Sequence, residues 1–206
     1  MLRLATVGSG KIVGWFLDGL KNVPELRHTA VYSRTRERGI QFAAQHNLPE
    51  SAGWTDLEQM ADSGEIDAVY LATPNRFHAQ QAEIFLKRGI HVLCEKPAVV
   101  TSEQLERLLA AAEKSGAVFM EAIMAPHQPR FAVLQKAVAD IGKLSGAVLN
   151  FSQLSSRYPA LLSGELPNIF NRELCAGALM DIGVYDVYLA LALFGVPERV
   201  EVPCSK

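Results

Sequence analysis

The sequence predicts an α/β protein that begins with a doubly wound parallel sheet and continues into the start of a second, α+β domain with an open sheet. Over the first 120 residues, short apolar runs alternate with longer amphipathic segments, as is typical of parallel strands joined by right-handed helical crossovers. The pattern changes after about residue 142. The 206 residues equal roughly 1.4 average domains. We therefore expect one complete domain, residues 1–121, and an incomplete one, residues 122–206.

Five apolar runs in residues 1–121 are predicted as strands, and the amphipathic segments between them as helices. The predicted strands cover residues 4–7, 29–33, 68–72, 91–94 and 117–120. The predicted helices cover residues 10–22, 35–46, 56–62, 77–88 and 102–114. Pro24 ends the first helix and Gly89 closes the fourth, while Thr101 or Ser102 caps the fifth, because these residue types favour those positions.

The C-terminal part contains a different set of elements. Residues 147–154 are predicted as a longer strand, and a polar, turn-rich stretch follows it. A strongly apolar helix is expected over residues 176–194, ended by Gly195 and Pro197, and residues 198–202 alternate in polarity as a strand does. One or two strands cannot form a stable sheet alone. The unpaired edge of 147–154 would invite pairing, so this sheet is a candidate route to a homo-oligomer.

The charge balance and the cysteine spacing exclude several classes of protein. Lys and Arg number 20 against 22 Asp and Glu, for a net charge of −2, whereas broad nucleic-acid surfaces show a strong basic excess. Cys94, Cys175 and Cys204 stand far apart, which argues against a zinc site and a secreted disulfide scaffold. The longest apolar stretch, residues 176–196, contains two aspartates, which are costly in hydrocarbon. We therefore expect a cytoplasmic protein that binds neither nucleic acid nor a membrane.

A glycine-rich loop follows the first predicted strand directly and opens the first predicted helix. Its sequence is Gly8-Ser9-Gly10-Lys11-Ile12, a Gly-x-Gly pattern within a strand–helix–strand unit. A tight turn needs the first glycine, and close approach of a pyrophosphate to the helix N-terminus needs the second. In this context the pattern predicts a dinucleotide-binding Rossmann domain rather than a simple strand-to-helix turn.

The end of the second predicted strand bears on the choice of cofactor. NAD-binding domains place an acidic residue there to bind the adenosine ribose hydroxyls, but this strand ends in Ser33-Arg34. A guanidinium can bind a 2′-phosphate that a carboxylate would repel. NADP(H) is therefore favoured, with NAD(H) as the alternative. Arg36 and Arg38 are more simply explained as a solvated helix face.

Two further motifs follow the next strands. Thr73-Pro74-Asn75, with His78 three residues on, ends the strand at 68–72, and Glu95-Lys96-Pro97 ends the strand at 91–94. A lysine at the carboxyl end of a parallel strand points into the crevice where open α/β sheets bind ligands. Pro97 restricts Lys96 to an extended backbone. Taken alone, a Glu-Lys-Pro tripeptide is more often a surface turn; together with the motif before it, it is interpreted as a reactive ammonium group in this crevice.

The apolar helix near the C-terminus carries the third motif. Asp181 and Tyr185 are four residues apart, so a helix places both on one face. A tyrosine can pass a proton to or from a substrate oxygen, and a neighbouring charged lysine lowers the cost of its phenolate form. Taken alone, the pair is more simply a partly buried tyrosine and a carboxylate at a helix N-terminus; with Glu95-Lys96-Pro97 upstream, it is a candidate source of acid–base chemistry.

Together these motifs resemble the Gfo/Idh/MocA oxidoreductases, the family of glucose–fructose oxidoreductase and inositol dehydrogenase; residues 92–97 and 119–124 look most like the dimeric dihydrodiol dehydrogenase branch. The resemblance implies that the cofactor contacts Gly8, Ser9, Gly10, Lys11, Ile12, Ser33, Arg34, Thr73, Pro74, Asn75, His78, Glu95 and Lys96. It implies that the catalytic residues are Lys96, Asp181 and Tyr185, and that no metal takes part.

The implied reaction is hydride transfer between NADP(H) or NAD(H) and a secondary alcohol or carbonyl of a sugar, polyol or cyclic diol. Two departures leave alternatives open. Residues 125–129 lack the Thr-Arg-Phe pattern of the compared branch, so the substrate contacts, including whether His127 supplies one, stay open. Family members are also longer, chiefly in the second domain's sheet. A dinucleotide-binding regulatory protein without turnover, or an inactive remnant, is therefore the alternative.

Overall fold

The computed structural model describes residues 1–202, and within them six strands form one parallel sheet. The strands are β1 (Leu2–Val7), β2 (Leu26–Tyr32), β3 (Gly53–Trp54), β4 (Ala68–Leu71), β5 (His91–Glu95) and β6 (Phe119–Ala122). Their order across the sheet is β3-β2-β1-β4-β5-β6, with every neighbouring pair parallel. This order reverses direction at β1, and ligands bind at that switch point in open α/β sheets. The predicted doubly wound Rossmann sheet is confirmed.

Eight α-helices connect and follow the strands within residues 1–202. They are α1 (Lys11–Leu20), α2 (Arg36–Gln45), α3 (Leu57–Asp62), α4 (Asn75–Leu86), α5 (Ser102–Ser115), α6 (Pro129–Asp140), α7 (Tyr158–Leu162) and α8 (Val184–Phe194). Side chains cap three of them: Thr35 caps α2, Asp56 caps α3, and Thr101 forms a capping box with Gln104 on α5. These caps satisfy backbone N–H groups that a helix N-terminus otherwise leaves without partners.

The core lies on both faces of the sheet. Strand β4 is buried along its whole length, and its residues alternate between the two clusters: Val69 and Leu71 pack with Phe85 on one face, while Tyr70 packs with Val13 on the other. A parallel sheet covered by helices on both faces needs such continuously apolar strands. This burial holds the carboxyl ends of β1, β4 and β5 side by side.

The structure corrects the prediction for residues beyond β6. No strand occurs between residue 123 and residue 202, so the predicted strands at 147–154 and 198–202 are wrong for the described chain. Residues 147–154 have no neighbouring strand in this part of the chain to receive their hydrogen bonds, and alternating polarity alone does not make a sheet. Residues 123–202 therefore contain no strand through which the expected homo-oligomer could pair.

The segment Arg172–Phe194, which is helical except at the turn of residues 175–177, is apolar enough, by length and composition alone, to cross a membrane. None of its 18-residue apolar window is buried. Within it, residues Leu179–Gly183 form one π-helical turn that leads directly into α8. The carboxylate of Asp181 in this turn forms an ion pair with Lys96. The segment therefore contacts the sheet domain through a charged group.

Candidate active site

The glycine loop lies between β1 and α1, and its two glycines serve different purposes. Gly8 has a φ of +117°, and a Cβ there would stand 2.7 Å from the carbonyl oxygen of Ala72. The fold itself therefore requires glycine at this position. Gly10 has an ordinary φ of −85°, and a Cβ there would meet nothing within 4 Å. The packing of the chain does not explain Gly10, whereas the close approach of a ligand would.

The N-terminus of α1 opens at this loop without a side-chain cap. The main-chain N–H groups of Lys11 and Ile12 begin the helix, and such uncapped N–H groups bind phosphate. The ammonium of Lys11 lies over the ring of Trp15, with its nitrogen 5.0 Å from the ring centroid. The residues of this loop thus fit the pyrophosphate of a dinucleotide, mainly through their backbone.

The carboxyl end of β2 leads to the site expected for the adenosine ribose. Ser33 is buried, and its N–H donates a hydrogen bond of 3.0 Å to the carbonyl oxygen of Trp54. Arg34 is exposed at the next position, ahead of the Thr35 cap of α2. A guanidinium here is accessible to a 2′-phosphate, and neither residue is a carboxylate that would repel one.

Lys96 stands just after β5, and the structure brings it together with both predicted residues of the C-terminal segment. Its ammonium donates to the backbone carbonyl oxygen of Asp181, and also to Oδ1 of that residue at 3.0 Å. The same nitrogen lies 5.2 Å from the ring centroid of Tyr185. Asp181 lies in the π-helical turn and Tyr185 in the first turn of α8. Such π-turns occur frequently at functional sites.

The charges around Tyr185 bear on its protonation state. Burial raises the pKa of Tyr185 most strongly, and the carboxylates of Glu95 and Asp181 raise it further. The expectation that a charged Lys96 lowers the cost of the phenolate stays a prediction, with the ammonium 5.2 Å from the ring centroid and opposed by these other influences. Two carboxylates thus share the site with the Lys96 ammonium group. Tyr185 accordingly keeps its proton in neutral solution.

Tyr70 is a site residue that sequence reasoning missed. Its hydroxyl donates a 2.5 Å hydrogen bond to Oε1 of Glu95, and its ring stacks on Phe16 with centroids 3.9 Å apart. Glu95 also accepts a 3.2 Å hydrogen bond at Oε2 from the backbone N–H of Lys96. Burial and the Glu95 carboxylate raise the pKa of Tyr70. A tyrosine near the carboxyl end of a buried strand was the signal available in the sequence.

His78, expected among the residues near the cofactor, lies inside the protein in this structure. The side chain is 1% exposed. Its Nδ1 lies 2.9 Å from the carbonyl oxygen of Pro97, and its Nε2 lies 2.7 Å from that of Thr73. The imidazole thus connects the two loops that follow β4 and β5. His78 holds these loops in position, because neither ring nitrogen is available to a ligand.

The remaining residues of the loop after β4 are also engaged within the protein. The Thr73 hydroxyl donates a 2.6 Å hydrogen bond to Oε1 of Gln81. The Asn75 amide donates a 2.9 Å hydrogen bond to the backbone carbonyl oxygen of Cys175. Pro74 precedes α4 as its N-cap residue. This loop therefore contacts the C-terminal segment as well as lying beside the glycine loop.

A cavity of about 390 Å³ adjoins Tyr185 on the side of α6 and α8. Phe131, Phe151 and Leu189 supply apolar walls, and Gln128 and Arg130 line it with polar groups. Apolar walls with a few polar groups are characteristic of small-molecule sites. His127, which the sequence left open as a substrate contact, is exposed and is not among the residues that line this cavity.

The chain aligns with known proteins over nearly its whole length. It is 42% identical over 201 residues to the scyllo-inositol 2-dehydrogenase (NADP(+)) IolU of Bacillus subtilis, covering 98% of this chain and 61% of that relative. It is 28% identical over 204 residues to the trans-1,2-dihydrobenzene-1,2-diol dehydrogenase of Danio rerio, covering 97% and 59%. The chain thus spans about three fifths of the length of these relatives.

Solved structures share the fold. KijD10, a 3-ketoreductase from Actinomadura kijaniata in complex with NADP and TDP-benzene, superposes with a TM-score of 0.74 at 25% identity, over 94% of this chain and 57% of that one. GenD2 from gentamicin A biosynthesis, in complex with NAD, has a TM-score of 0.75 at 23% identity, over 94% and 54%, and supports the fold alone. The profile of the Gfo/Idh/MocA family, described as an oxidoreductase family with an NAD-binding Rossmann fold, matches residues 2–123. The chain therefore belongs to the Gfo/Idh/MocA oxidoreductase family.

Proposed function

We propose that this chain carries the cofactor domain and the start of the substrate domain of an oxidoreductase. The reaction is hydride transfer between NADP(H), with NAD(H) as the alternative, and a secondary alcohol or carbonyl of a sugar, polyol or cyclic diol. The proposed cofactor domain is residues 1–121, and the proposed substrate domain begins at residue 122. The observation that carries the proposal is the convergence of Lys96, Asp181 and Tyr185 at the carboxyl edge of the sheet.

The choice of NADP(H) rests on the end of β2 and on the relatives. Arg34 is exposed beside buried Ser33, where an NAD-specific domain would present a carboxylate. The names of two relatives, the inositol dehydrogenase above and D-xylose 1-dehydrogenase 2 of Haloferax volcanii at 31% identity, specify NADP(+). Gly8 to Ile12 would hold the pyrophosphate, and Ser33 with Arg34 the adenosine end.

The proposed proton chemistry follows from the protonation state of Tyr185. A bound nicotinamide would supply or accept the hydride at its C4 position. When a carbonyl is reduced, its oxygen takes the proton of the Tyr185 hydroxyl, which the raised pKa keeps in place in neutral solution. Lys96 then returns a proton to the phenolate, and alcohol oxidation follows the same path in reverse. Asp181 holds the Lys96 ammonium beside Tyr185 through its carbonyl and carboxylate oxygens.

Turnover by two site variants tests this proposal. The 206-residue chain is assayed with scyllo-inositol and a panel of sugars, polyols and cyclic diols, and NADPH and NADH binding is titrated by fluorescence. We expect Lys96→Ala and Tyr185→Phe to lower kcat by about 100-fold or more, because each removes a group that exchanges the proton. The NADPH Kd should change little in Tyr185→Phe, whose hydroxyl serves the substrate.

Two matched variants act as controls. Lys136→Ala removes an exposed lysine paired with Asp140 in α6, and Tyr158→Phe removes a hydroxyl from an exposed tyrosine in α7. Both should retain the rate of the parent chain. A chain that binds NADPH but oxidises or reduces nothing would favour the regulatory alternative. Site variants that match the parent rate would disprove the catalytic assignment.

A further inference from the structure

Two hydrogen bonds join the N-terminus of α4 to a turn about one hundred residues further along the chain. The amide nitrogen of Asn75 donates to the carbonyl oxygen of Cys175 at 2.9 Å, and Nη1 of Arg76 donates to the carbonyl oxygen of Glu173 at 3.4 Å. Both acceptors are backbone atoms of the turn at residues 172–175. The contact is therefore sensitive to the path of that backbone and insensitive to its side chains.

The backbone of this turn is unusual at the point of contact. Cys175 has a φ of +55°, in the left-handed region that residues other than glycine seldom adopt. Such a conformation persists only where surrounding contacts maintain it. The Asn75 amide binds the carbonyl oxygen of this same residue. One side chain of the cofactor domain thus secures the strained position of the turn.

The turn leads directly into the segment that contains Asp181 and Tyr185. Gly177 follows with a φ of +125° and accepts a 2.9 Å hydrogen bond at its carbonyl oxygen from the N–H of Asp181. Asp181 lies only six positions after Cys175, so a shift of the turn would be transmitted to the oxygens that hold Lys96. Asn75 itself directly follows the loop after β4, and the carbonyl group of Ala72 in that loop packs against Gly8 of the glycine loop.

We infer that Asn75 is a positioning residue that anchors the turn at residues 172–175 to the cofactor domain and thereby holds Asp181 and Tyr185 at Lys96. This inference rests on the proposed function and adds a role that differs from the implied contact of Asn75 with the cofactor. Its amide N–H is directed to Cys175, on the protein side of the site. Arg76 is exposed and its hydrogen bond is longer, so its contribution is secondary.

Asn75→Asp and Asn75→Ala test this role in the 206-residue chain. The aspartate keeps the shape of the side chain but sets an oxygen against the Cys175 carbonyl, whereas the alanine removes the group. We expect hydrogen–deuterium exchange in residues 172–183 to quicken at least tenfold in both variants, with β1 and β4 unchanged. The kcat should fall about tenfold, because a tenfold change corresponds to the net contribution of one typical hydrogen bond. The NADPH Kd should stay within about twofold of the parent value.

Gln80→Ala is the matched control, since Gln80 is an exposed residue of the same helix and should leave exchange and rate unchanged. A parallel weakening of NADPH binding and kcat, with exchange in residues 172–183 unaltered, would overturn the inference in favour of a direct cofactor contact. Unaltered exchange with unaltered kcat would also overturn it. If the parent chain shows no turnover, the proposed function fails, while the exchange difference still decides whether Asn75 holds the turn.

Discussion

Residues 1–123 and residues 124–202 bury their apolar side chains to very different extents. All the buried hydrophobic residues of the described chain lie between Leu4 and Ile123. In residues 124–202 no residue is buried, and apolar side chains such as Val148 and Val196 are 94% and 88% exposed. The first region has a helix layer over each face of its sheet, and the second has amphipathic elements without a covering layer.

This difference separates what stabilises the fold from what aligns the site. The free energy of unfolding comes mainly from the core of residues 1–123, because burial of apolar surface is the dominant favourable contribution. The second region is held to the first by a few polar contacts, chiefly Lys96 with Asp181 and Asn75 with Cys175. Those same contacts form the candidate site. Substitutions should therefore affect stability in one region and alignment in the other.

The largest expected effect is on the core. Phe85 is fully buried in α4, and Phe85→Ala should lower the free energy of unfolding by about 3–5 kcal/mol, because it removes buried surface and leaves a cavity. Phe194→Ala makes the same change in α8, where the ring is 42% exposed, and should cost less than about 1 kcal/mol. Urea unfolding followed by circular dichroism measures both. Equal losses would show that the two regions share one core.

A smaller effect is expected from the pH dependence of the Arg3–Asp67 pair, which joins β1 to the start of β4. Side-chain and backbone hydrogen bonds from Arg3 lower the pKa of Asp67 to about 2. The unfolded value is about 3.9, so the stabilisation is present above that value and is lost as the pH falls through about 2. Both side chains are partly exposed, so the stabilisation from this pair should be about 1 kcal/mol or less.

Urea unfolding between about pH 6 and pH 2 measures this effect. Asp67→Asn should lose less stability than the parent on acidification, since it lacks the group whose pKa is lowered. Asp140→Asn serves as the control, because its pair with Lys136 lies on the exposed surface of α6. Parent and Asp67→Asn curves that run parallel over the whole range would show that the pair contributes nothing to the acid response.

The smallest effect is expected in residues 147–154. Val148→Thr should change the free energy of unfolding by less than about 0.5 kcal/mol, because a side chain that is 94% exposed makes few packing contacts. Val69→Thr places the same hydroxyl in the fully buried centre of β4 and should cost about 1–3 kcal/mol. Thermal denaturation of both variants measures these two changes in stability. A loss above about 1 kcal/mol for Val148→Thr would mean that a packed layer covers this segment.

Much of the first region could be predicted from the sequence because its signals are local. Apolar runs bounded by Gly, Pro and capping residues located five of the six strands and the five helices between and after them to within a few residues. The exception was β3, which has only the two residues Gly53 and Trp54. It forms by pairing with β2, and so short a run has no periodicity of its own.

The second region shows where local signals fail. Residues 147–154 alternate in polarity but form no strand in the described chain, since a strand also needs a neighbour to bond. Helix α6 was not predicted, although Pro129 at its first position is a typical start signal. The raised pKa of Tyr185 could not be predicted either, because no local pattern shows its burial or brings Glu95 near it.

Local sequence alone identifies the residues that follow the strands: the glycines of the first loop, Ser33 with Arg34, and Lys96 before Pro97. These depend on neighbours within a few positions along the chain, where backbone geometry dictates what is possible. Three contacts depend on the folded chain: Lys96 meets Asp181, 85 positions away, His78 faces inward, and Asn75 binds the turn at Cys175. Packing of the sheet and helices sets these distances, and no local pattern encodes them.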